Sequence, residues 1–299
     1  MQTFHVKESR PLLAFLLEAL AGTPRTRIKE HLRLKRVAVN GKAVTQFDQP
    51  LETGDKVEVG ARHGAPGRIS PGFGIEILYD DDAVVVIHKP NGLLSVGSET
   101  VRHRTAIRAV NDYLNREASH ADIRRRDRAI RSKMIFIVHR LDREASGLMV
   151  FAKTVEGKLF LQEHWHEFRK KYFAVVEGSP AEPEGTLSGY LKENKFLRVH
   201  SARKGPGARM AVTHYSTVRT NGRHSLLEVE LGTGRKHQIR AQLAEAGHPV
   251  AGDDRYGAKT DPAGRLALHA CRLEFCHPVT GAPMVFDSPL PETFKRIID

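Results

Sequence analysis

Residues 138–154 read VHRLDREASGLMVFAKT and contain the most informative pattern of the chain. A single carboxylate, Asp142, lies between Arg140 and Arg143, ahead of a Ser-Gly turn and an apolar strand. Because rigid backbone holds this acid among cations, the pattern indicates a nucleophile or base that works in an anionic, phosphate-lined site. In a chain this basic, nucleic acid is the first candidate for the anion.

The charge of the whole chain agrees with such a partner without proving it. The chain has 299 residues, of which 47 are Lys or Arg and 35 are Asp or Glu, for a net charge of +12. This length accommodates one large domain and a small one. A basic chain suits a dense polyanion, but many soluble proteins are moderately basic, so charge alone leaves both interpretations open.

The chain contains two cysteines, Cys271 and Cys276, which are too few for a disulfide framework and indicate a reducing compartment. Together with His277 they could suggest zinc, but a structural zinc site needs four ligands and no second Cys/His pair has suitable spacing. The N-terminal residues show neither a signal peptide nor an apolar run long enough for a membrane span. We therefore expect a cytoplasmic protein with no metal site and no membrane partner.

A connector divides the sequence. Residues 61–74, ARHGAPGRISPGFG, contain four glycines and two prolines with little apolar periodicity, which is typical of a linker. We predict a small domain over residues 1–60 and a large one over residues 75–299. The arginine-rich residues 121–133 are too charged for a core and fit either a solvated loop or an RNA-contacting flap.

The small domain has two predicted helices and a hairpin. Residues 11–21 predict an apolar helix, and a second helix begins with Thr23 as N-cap and Pro24 at its first position. RVAVNGKAV (36–44) contains an Asn-Gly hairpin signal, and LETGDKVEV (51–59) predicts a turn and a closing strand. This order resembles the small alpha-L RNA-binding domain, an α/β module.

The resemblance implies that the second helix docks its basic surface on folded RNA, where phosphate contacts dominate the affinity. A solvated helix face is the alternative interpretation. The basic residues concerned are Arg25, Arg27, Lys29, Arg33, Lys35 and Arg36.

The large domain carries five motifs in a fixed order. None is specific alone; a lone Gly-x-Gly, for example, is weak evidence for a nucleotide. Taken in order they resemble an RluA-type pseudouridine synthase over essentially all of residues 75–299, a family in which an N-terminal alpha-L domain is a known arrangement. The motifs are HRLDREASG (139–147), KKY (170–172), TGRKHQIR (233–240), GHPVAGDDRYG (247–257) and LHA (268–270).

The resemblance implies an α+β fold with a mixed, mostly antiparallel central sheet in two subdomains and a basic cleft between them, with Asp142 at the floor of the cleft. The apolar strands after residue 134 alternate with helical stretches but lack regular β-α-β spacing. This irregular spacing also favours a mixed α+β domain.

The implied reaction breaks the N-glycosidic bond of a uridine, rotates the uracil and rejoins it through carbon 5. It involves no net redox change and no group donor, so no cofactor is expected. Asp142 matches the family's catalytic aspartate, as a nucleophile at the sugar or the base or as a base on a glycal route, and the sequence leaves these routes open. Arg240 would pair with Asp142 and favour its ionised form, with Arg235 as second choice.

The remaining implied roles concern the flipped base. The uridine must leave the RNA stack before it reacts, and Arg140 would fill the gap with its planar guanidinium. Tyr172 would stack on the uracil and assist removal of the carbon-5 proton, while Lys170 would support this strand and reach phosphate. The alternatives are that Arg140 and Arg240 belong to ordinary surface ion pairs and that Tyr172 is a core residue.

The sequence therefore predicts a monomeric RNA pseudouridine synthase that modifies structured RNA, with ribosomal RNA favoured over transfer RNA. An alternative is a catalytically degenerate RNA-binding or ribosome-assembly factor on the same fold. A two-carboxylate hydrolase would need a second acid opposite Asp142; Asp253 and Asp254 are the nearest candidates, with no sign that they face it. One departure from the family pattern is Glu144-Ala145, where a threonine hydroxyl that would support the Asp142 loop is missing.

Overall fold

A computed structural model describes residues 2–21, 25–33, 37–59, 71–97, 103–123 and 134–299. They fall into two compact units, Met1–Ile69 with Leu78–Asp80 and Ser70–Ile77 with Asp81–Asp299. Most of the predicted linker and most of the arginine-rich stretch lie outside the described residues. The domain boundaries at residues 60 and 75 stay a prediction.

The first unit contains two helices and a four-stranded sheet. Its helices are α1 (Leu12–Ala19) and α2 (Arg25–Arg33), and the N-cap and first position predicted for α2 lie outside the described residues. Its strands are β1 (Gln2–His5), β2 (Arg10–Pro11), β3 (Val37–Val39), β4 (Lys42–Ala43), β5 (Pro50–Leu51) and β6 (Lys56–Val59). The sheet order is β1-β6-β3-β4, and β2 pairs with β5. Apolar side chains of both helices and of β3 and β6 form its core.

The predicted Asn-Gly hairpin is present between β3 and β4. Asn40 and Gly41 have φ angles of 51° and 77°, and two consecutive residues with positive φ are what a two-residue hairpin turn requires. The Asn40 side chain also donates to Asp55 Oδ1 at 2.8 Å and accepts from Lys56 N at 2.9 Å. The turn is thereby fastened to the start of β6.

The second unit contains a long sheet flanked by helices. Its strands are β7 (Glu76–Asp80), which is divided between the two units, β8 (Val84–Lys89), β9 (Phe136–Ile137), β10 (Ser146–Ala152), β11 (Lys170–Glu177), β12 (Glu184–Glu193), β13 (Val199–Ala202), β14 (Arg209–Thr220), β15 (His224–Leu231), β16 (Leu268–Cys276) and β17 (Pro283–Asp287). Its helices are α3 (Ala106–Ile123), α4 (Val155–Glu163), α5 (Gln238–Glu245) and α6 (Glu292–Ile298).

The sheet is mostly antiparallel, as predicted. Hydrogen-bonded strands follow the order β13-β12-β14-β15-β11-β16-β10-β8, with β17 beside β16 and β9 beside β10. Among the strand pairs with a described register, only β10 and β16 run parallel. The predicted mixed α+β class is confirmed.

Two hydrophobic cores flank this sheet. Side chains of β11, β15, α5 and α6 build one, including Val175 and Phe294. Side chains of β8, β10 and α3 build the other, including Ile87 and Met149. Tyr172, near the start of β11, packs against both cores, so it lies where they meet.

A close approach between β10 and β16 accounts for the Ser-Gly pair of the first motif. Gly147 lies opposite Ala270 in the parallel register. Its φ is +116°, and a Cβ at this position would lie 2.2 Å from the Ala270 carbonyl oxygen. A larger residue therefore does not fit, and the chain leaving Asp142 enters β10 at a fixed place.

The cysteines and His277 do not form a metal-binding group. Cys271 is buried, Cys276 is exposed, and His277 Nε2 bonds with Asp81 Oδ2 at 2.7 Å. Over the described ranges, no cluster of three or more potential metal-binding side chains occurs. In the same residues no helix is both long and apolar enough to cross a lipid bilayer.

Candidate active site

The loop that carries Asp142 precedes β10 and is tied to the Lys-Pro-Asn-Gly turn after β8. Ser95 Oγ donates to Leu141 O at 2.7 Å and accepts from Leu141 N at 3.1 Å. On the other side of Asp142, Arg143 Nε donates to Gly92 O at 3.2 Å. Bonds on both sides of the acid fix the backbone from which its carboxylate projects.

Lys89 is a fully buried lysine that the sequence analysis did not single out. Its Nζ donates to Pro90 O and Leu93 O, both at 2.8 Å, and to Arg143 O at 3.3 Å. Burial lowers the pKa of Lys89 to about 8, and the negative charge of Asp142 opposes that shift. Its ammonium thus connects the segment after β8 to the loop that carries Asp142.

The buried ammonium of Lys89 predicts an unusual dependence of stability on pH. The unfolded chain keeps this proton up to about pH 10.5, whereas the folded chain releases it near pH 8. Because the unfolded state binds more protons between these values, stability rises with pH there. Relative to Lys89→Met, the wild-type protein should gain up to about 3 kcal/mol from pH 8 to 10.5 in denaturant unfolding.

The matched control for this measurement is Lys259→Met, which replaces an exposed lysine. Its unfolding free energy should run parallel to that of the wild type over the same pH range. A constant difference between wild type and Lys89→Met would show that Lys89 stays charged throughout.

Arg240, from the first turns of α5, connects Asp142 to a second, buried carboxylate. Its Nη1 donates to Asp142 Oδ2 at 3.0 Å, while Nε and Nη2 donate to the two oxygens of Asp253 at 2.6 and 2.8 Å. Burial disfavours the charge of Arg240, but the hydrogen bonds and charges of Asp253 and Asp142 raise its pKa. The expected Asp142 and Arg240 pair is present, with Arg240 buried and Asp142 partly exposed to the pocket.

Asp253 therefore does not act as a second acid opposite Asp142. Its side chain is fully buried and forms a two-point bond with Arg240, so it fixes the guanidinium that contacts Asp142. Asp254 is exposed. Asp253 is therefore not available as the second free carboxylate that the hydrolase interpretation requires.

His237 approaches Asp142 from the turn before α5. Its backbone has a left-handed φ of 50°, a conformation that is strained for a non-glycine residue and is common at functional sites. Its Nε2 lies 3.8 Å from Asp142 Oδ1, and its Nδ1 bonds with Tyr256 Oη at 3.0 Å. Burial lowers the pKa of His237, so the ring is neutral at pH 7. The sequence analysis quoted this histidine but gave it no role.

Asp142 lines a pocket that is apolar on one part and cationic on another. The apolar part of the lining comes from Tyr172, Leu231, Ile239 and Leu268. Burial, and then the charge of Asp142, raise the pKa of Tyr172 well above its usual value, so the phenol stays protonated. Tyr172 packs against both hydrophobic cores and also lines the pocket. The core interpretation and the pocket interpretation of this tyrosine therefore each describe part of its surroundings.

Arg140 and Arg235 complete the cationic part of the pocket. Both are exposed, and Arg235 Nε donates to Met210 O at 3.0 Å. Within the described ranges, the Arg140 guanidinium forms no ion pair or side-chain hydrogen bond, so the surface ion-pair interpretation does not apply to it there. One carboxylate among three arginines beside apolar walls suits a flat base that becomes anionic during a reaction.

Comparison with known proteins agrees with this geometry. The model of the family described as RNA pseudouridylate synthase matches residues 83–245. An uncharacterized RNA pseudouridine synthase of Bacillus subtilis is 30% identical over 277 residues, covering 90% of this chain and 86% of its own length. The chain belongs to the RNA pseudouridylate synthase family. It is therefore an isomerase that acts on RNA, as the motifs predict.

Other relatives of this synthase extend the comparison. Ribosomal large subunit pseudouridine synthase D of Escherichia coli K12 is 31% identical over 301 residues, covering 95% of this chain and 88% of its own length. The solved structure of human RNA pseudouridylate synthase domain containing 4 has a TM-score of 0.56 at 24% identity and covers 73% of this chain and 90% of that chain. The human structure shows the likeness of fold.

Lys170 does not line the pocket, unlike the other site residues that were predicted in the second unit. It is buried; its Nζ donates to Trp165 O at 2.7 Å and lies 5.6 Å from the centroid of that ring. Lys170 is the first residue of β11, and its ammonium is held by Trp165 in the segment that precedes the strand. The register shift nearby places its extra residue, Cys271, on β16 and leaves β11 regular against β15. The predicted roles of Lys170, support of its strand and contact with phosphate, stay predictions.

At residues 144 and 145, where the sequence departs from the family pattern, other contacts take the place of the missing threonine hydroxyl. Ala145, where the family pattern has threonine, is buried in the core that contains Val175. Glu144 Oε2 lies 3.9 Å from Arg240 Nη1. The bonds of Ser95 and Lys89 hold the Asp142 loop without the missing hydroxyl.

The basic residues predicted on α2 are only partly described. Arg25 and Lys29 are exposed, and Lys29 Nζ lies 5.5 Å from the centroid of the Phe47 ring. The other side chains, those of Arg27, Arg33, Lys35 and Arg36, lie outside the described residues. The contact of this helix with RNA stays a prediction.

Proposed function

We propose that this synthase converts uridine to pseudouridine in large-subunit ribosomal RNA, with Asp142 as its catalytic carboxylate. The observation that carries the assignment is the bond of 3.0 Å between Asp142 and Arg240, whose guanidinium is itself fixed by Asp253. A positioned cation orients the carboxylate and compensates its negative charge beside a polyanionic substrate. The name of the Escherichia coli relative and the predicted RNA-binding domain support the ribosomal target.

The chemistry follows from the pocket. A flipped uridine places its uracil against Tyr172 and its sugar toward Asp142, while Arg140 fills the gap in the RNA stack. Asp142 then attacks the uridine or removes a sugar proton, and the N-glycosidic bond breaks. The uracil leaves as an anion, which Arg235 and Arg240 stabilise electrostatically.

Rejoining the uracil to the sugar requires a group that removes the proton from carbon 5. The uracil rotates, carbon 5 bonds to the sugar, and the proton on carbon 5 must leave to restore the aromatic ring. The raised pKa of Tyr172 keeps its phenol protonated, so Tyr172 orients the uracil by stacking rather than acting as a phenolate. Asp142, released once the new bond has formed, accepts this proton, and N1 of the uracil, freed when the glycosidic bond broke, takes up a proton in its place.

The test is to map pseudouridine in total RNA from cells that lack this protein. We expect one or more sites to be lost from large-subunit ribosomal RNA and to return on complementation with the wild-type gene but not with Asp142→Asn. Loss confined to transfer RNA would contradict the target. Loss of no site would contradict the activity and favour a degenerate RNA-binding factor.

The location and the oligomeric state stay predictions. We propose a cytoplasmic protein, which the unpaired Cys271 and Cys276 support because free thiols persist in a reducing compartment. We also propose a monomer.

A further inference from the structure

The turn between β12 and β13, residues 194–198, is held in one conformation by its own hydrogen bonds. Asn194 Oδ1 accepts from Phe196 N at 2.9 Å and from Arg198 N at 3.1 Å. The backbone of Asn194 also bonds with Leu197 N and Arg198 O, both at 2.9 Å. Leu197 has a left-handed φ of 59°, a strained conformation for a branched residue that persists only where its surroundings determine it.

This rigid turn presents an aromatic ring to solvent. Phe196 is 72% exposed, more than any other large hydrophobic residue in the described part of the chain, and its neighbour Leu197 is 60% exposed. Lys195 Nζ lies 5.1 Å from the centroid of the Phe196 ring. A single exposed apolar residue is ordinary, but a fixed aromatic ring with a cation beside it is the chemistry that stacks unpaired bases.

The turn is linked to the neighbourhood of Asp142 through a chain of hydrogen bonds. Phe196 O accepts from Arg255 Nη2 at 3.0 Å, and Val199 N donates to Tyr256 Oη at 3.1 Å. Tyr256 Oη in turn bonds with His237 Nδ1 at 3.0 Å, and His237 lies against Asp142. The exposed ring therefore belongs to the surroundings of the catalytic pocket.

The charge around the turn favours a polyanion. Lys192, Lys195 and Arg198 belong to the turn and to the strand that leads into it. The nearby carboxylate of Glu193 is paired with Lys236. An apolar protein or lipid partner would not need this charge, whereas single-stranded RNA is bound by basic surfaces with interspersed aromatic rings.

We propose that Phe196 is a stacking platform for an unpaired nucleotide that flanks the target uridine. The proposal rests on the proposed function and adds a requirement on the substrate, namely that the neighbour of the target is free to leave its stack. Flipping the uridine disturbs the adjacent stack, and a fixed ring beside the pocket would capture the neighbouring base at that point. Phe196 would thus select RNA by structure rather than by sequence.

The test compares Phe196→Ala and Phe196→Trp, each in the Asp142→Asn background so that binding is measured without turnover. The probe is an oligouridine that carries one 2-aminopurine, because stacking accepts any base and needs no knowledge of the natural target. Phe196→Ala should weaken binding about 5- to 100-fold and reduce the quenching of 2-aminopurine. Phe196→Trp should bind at least as tightly as the parent protein.

Two controls keep the result specific. Val279→Ala removes another exposed apolar side chain, 62% exposed, and should leave binding unchanged. An RNA duplex, whose bases are already stacked, should bind all variants alike. Equal binding of oligouridine by Phe196→Ala and its parent, or an equal loss on duplex RNA, would overturn the platform. Absence of turnover by the wild-type protein on any RNA would instead overturn the proposed function.

Discussion

Asp142→Asn should abolish conversion of uridine, lowering the rate by on the order of 10⁴-fold or more. The amide keeps the shape of the side chain and can still accept a bond from Arg240, but it can neither attack the sugar nor take a proton. RNA affinity should be retained, because the substitution removes a negative charge from a site that binds phosphates. The rate is followed by release of the carbon-5 hydrogen of labelled uridine to solvent.

Asp254→Asn is the matched control, since it removes an exposed carboxylate next to the buried Asp253. Its rate should equal that of the wild type. Full conversion by Asp142→Asn would refute the catalytic role. Loss of conversion with an unchanged cellular phenotype would instead indicate that the protein serves the cell by binding RNA.

Arg240→Met should destabilise the fold by about 3–5 kcal/mol, because it leaves the fully buried Asp253 carboxylate without its partner. Conversion should fall as well, since Asp142 loses the guanidinium that positions its carboxylate. The free energy of unfolding is measured in denaturant, and the rate is measured at a temperature at which the variant remains folded.

The double variant Arg240→Met/Asp253→Leu separates these two effects. Replacing a buried ion pair by apolar residues of similar size is often neutral for stability, so the fold should recover while conversion stays low. Arg235→Met, which changes an exposed arginine of the same pocket, should leave stability unchanged. A double variant as unstable as the single one would show that Asp253 has further partners.

Sequence patterns and the order of motifs predicted the hairpin of the first unit, the α+β class and the pairing of Asp142 with Arg240. The Asn40-Gly41 turn depends on backbone preferences of two adjacent residues, and the α+β class follows from the spacing of apolar strands. Asp142 and Arg240 were paired through the order of family motifs, although 98 positions separate them in the chain. Each of these features is carried by a few neighbouring residues or by a motif.

The features that the sequence did not predict depend mainly on burial. Lys89 resembles any surface lysine in the sequence, and its buried position results from the way two loops meet. Asp253 lies beside Asp254 in one acidic pair, and only the fold decides that the first is buried and the second exposed. The position of Lys170 was not predicted either, because its ammonium is held by the backbone oxygen of Trp165 just before β11.

The close approach of Gly147 to Ala270 also constrains the order in which this enzyme can assemble. Strand β16 lies between β11, which carries Tyr172, and β10, which follows Asp142. During synthesis, Asp142 and Tyr172 are therefore made 126 and 96 residues, respectively, before Leu268, the first residue of the strand that joins their two strands. Contacts this distant in sequence close late in folding, so a nascent chain cannot display a working pocket to RNA until its last long strand has emerged.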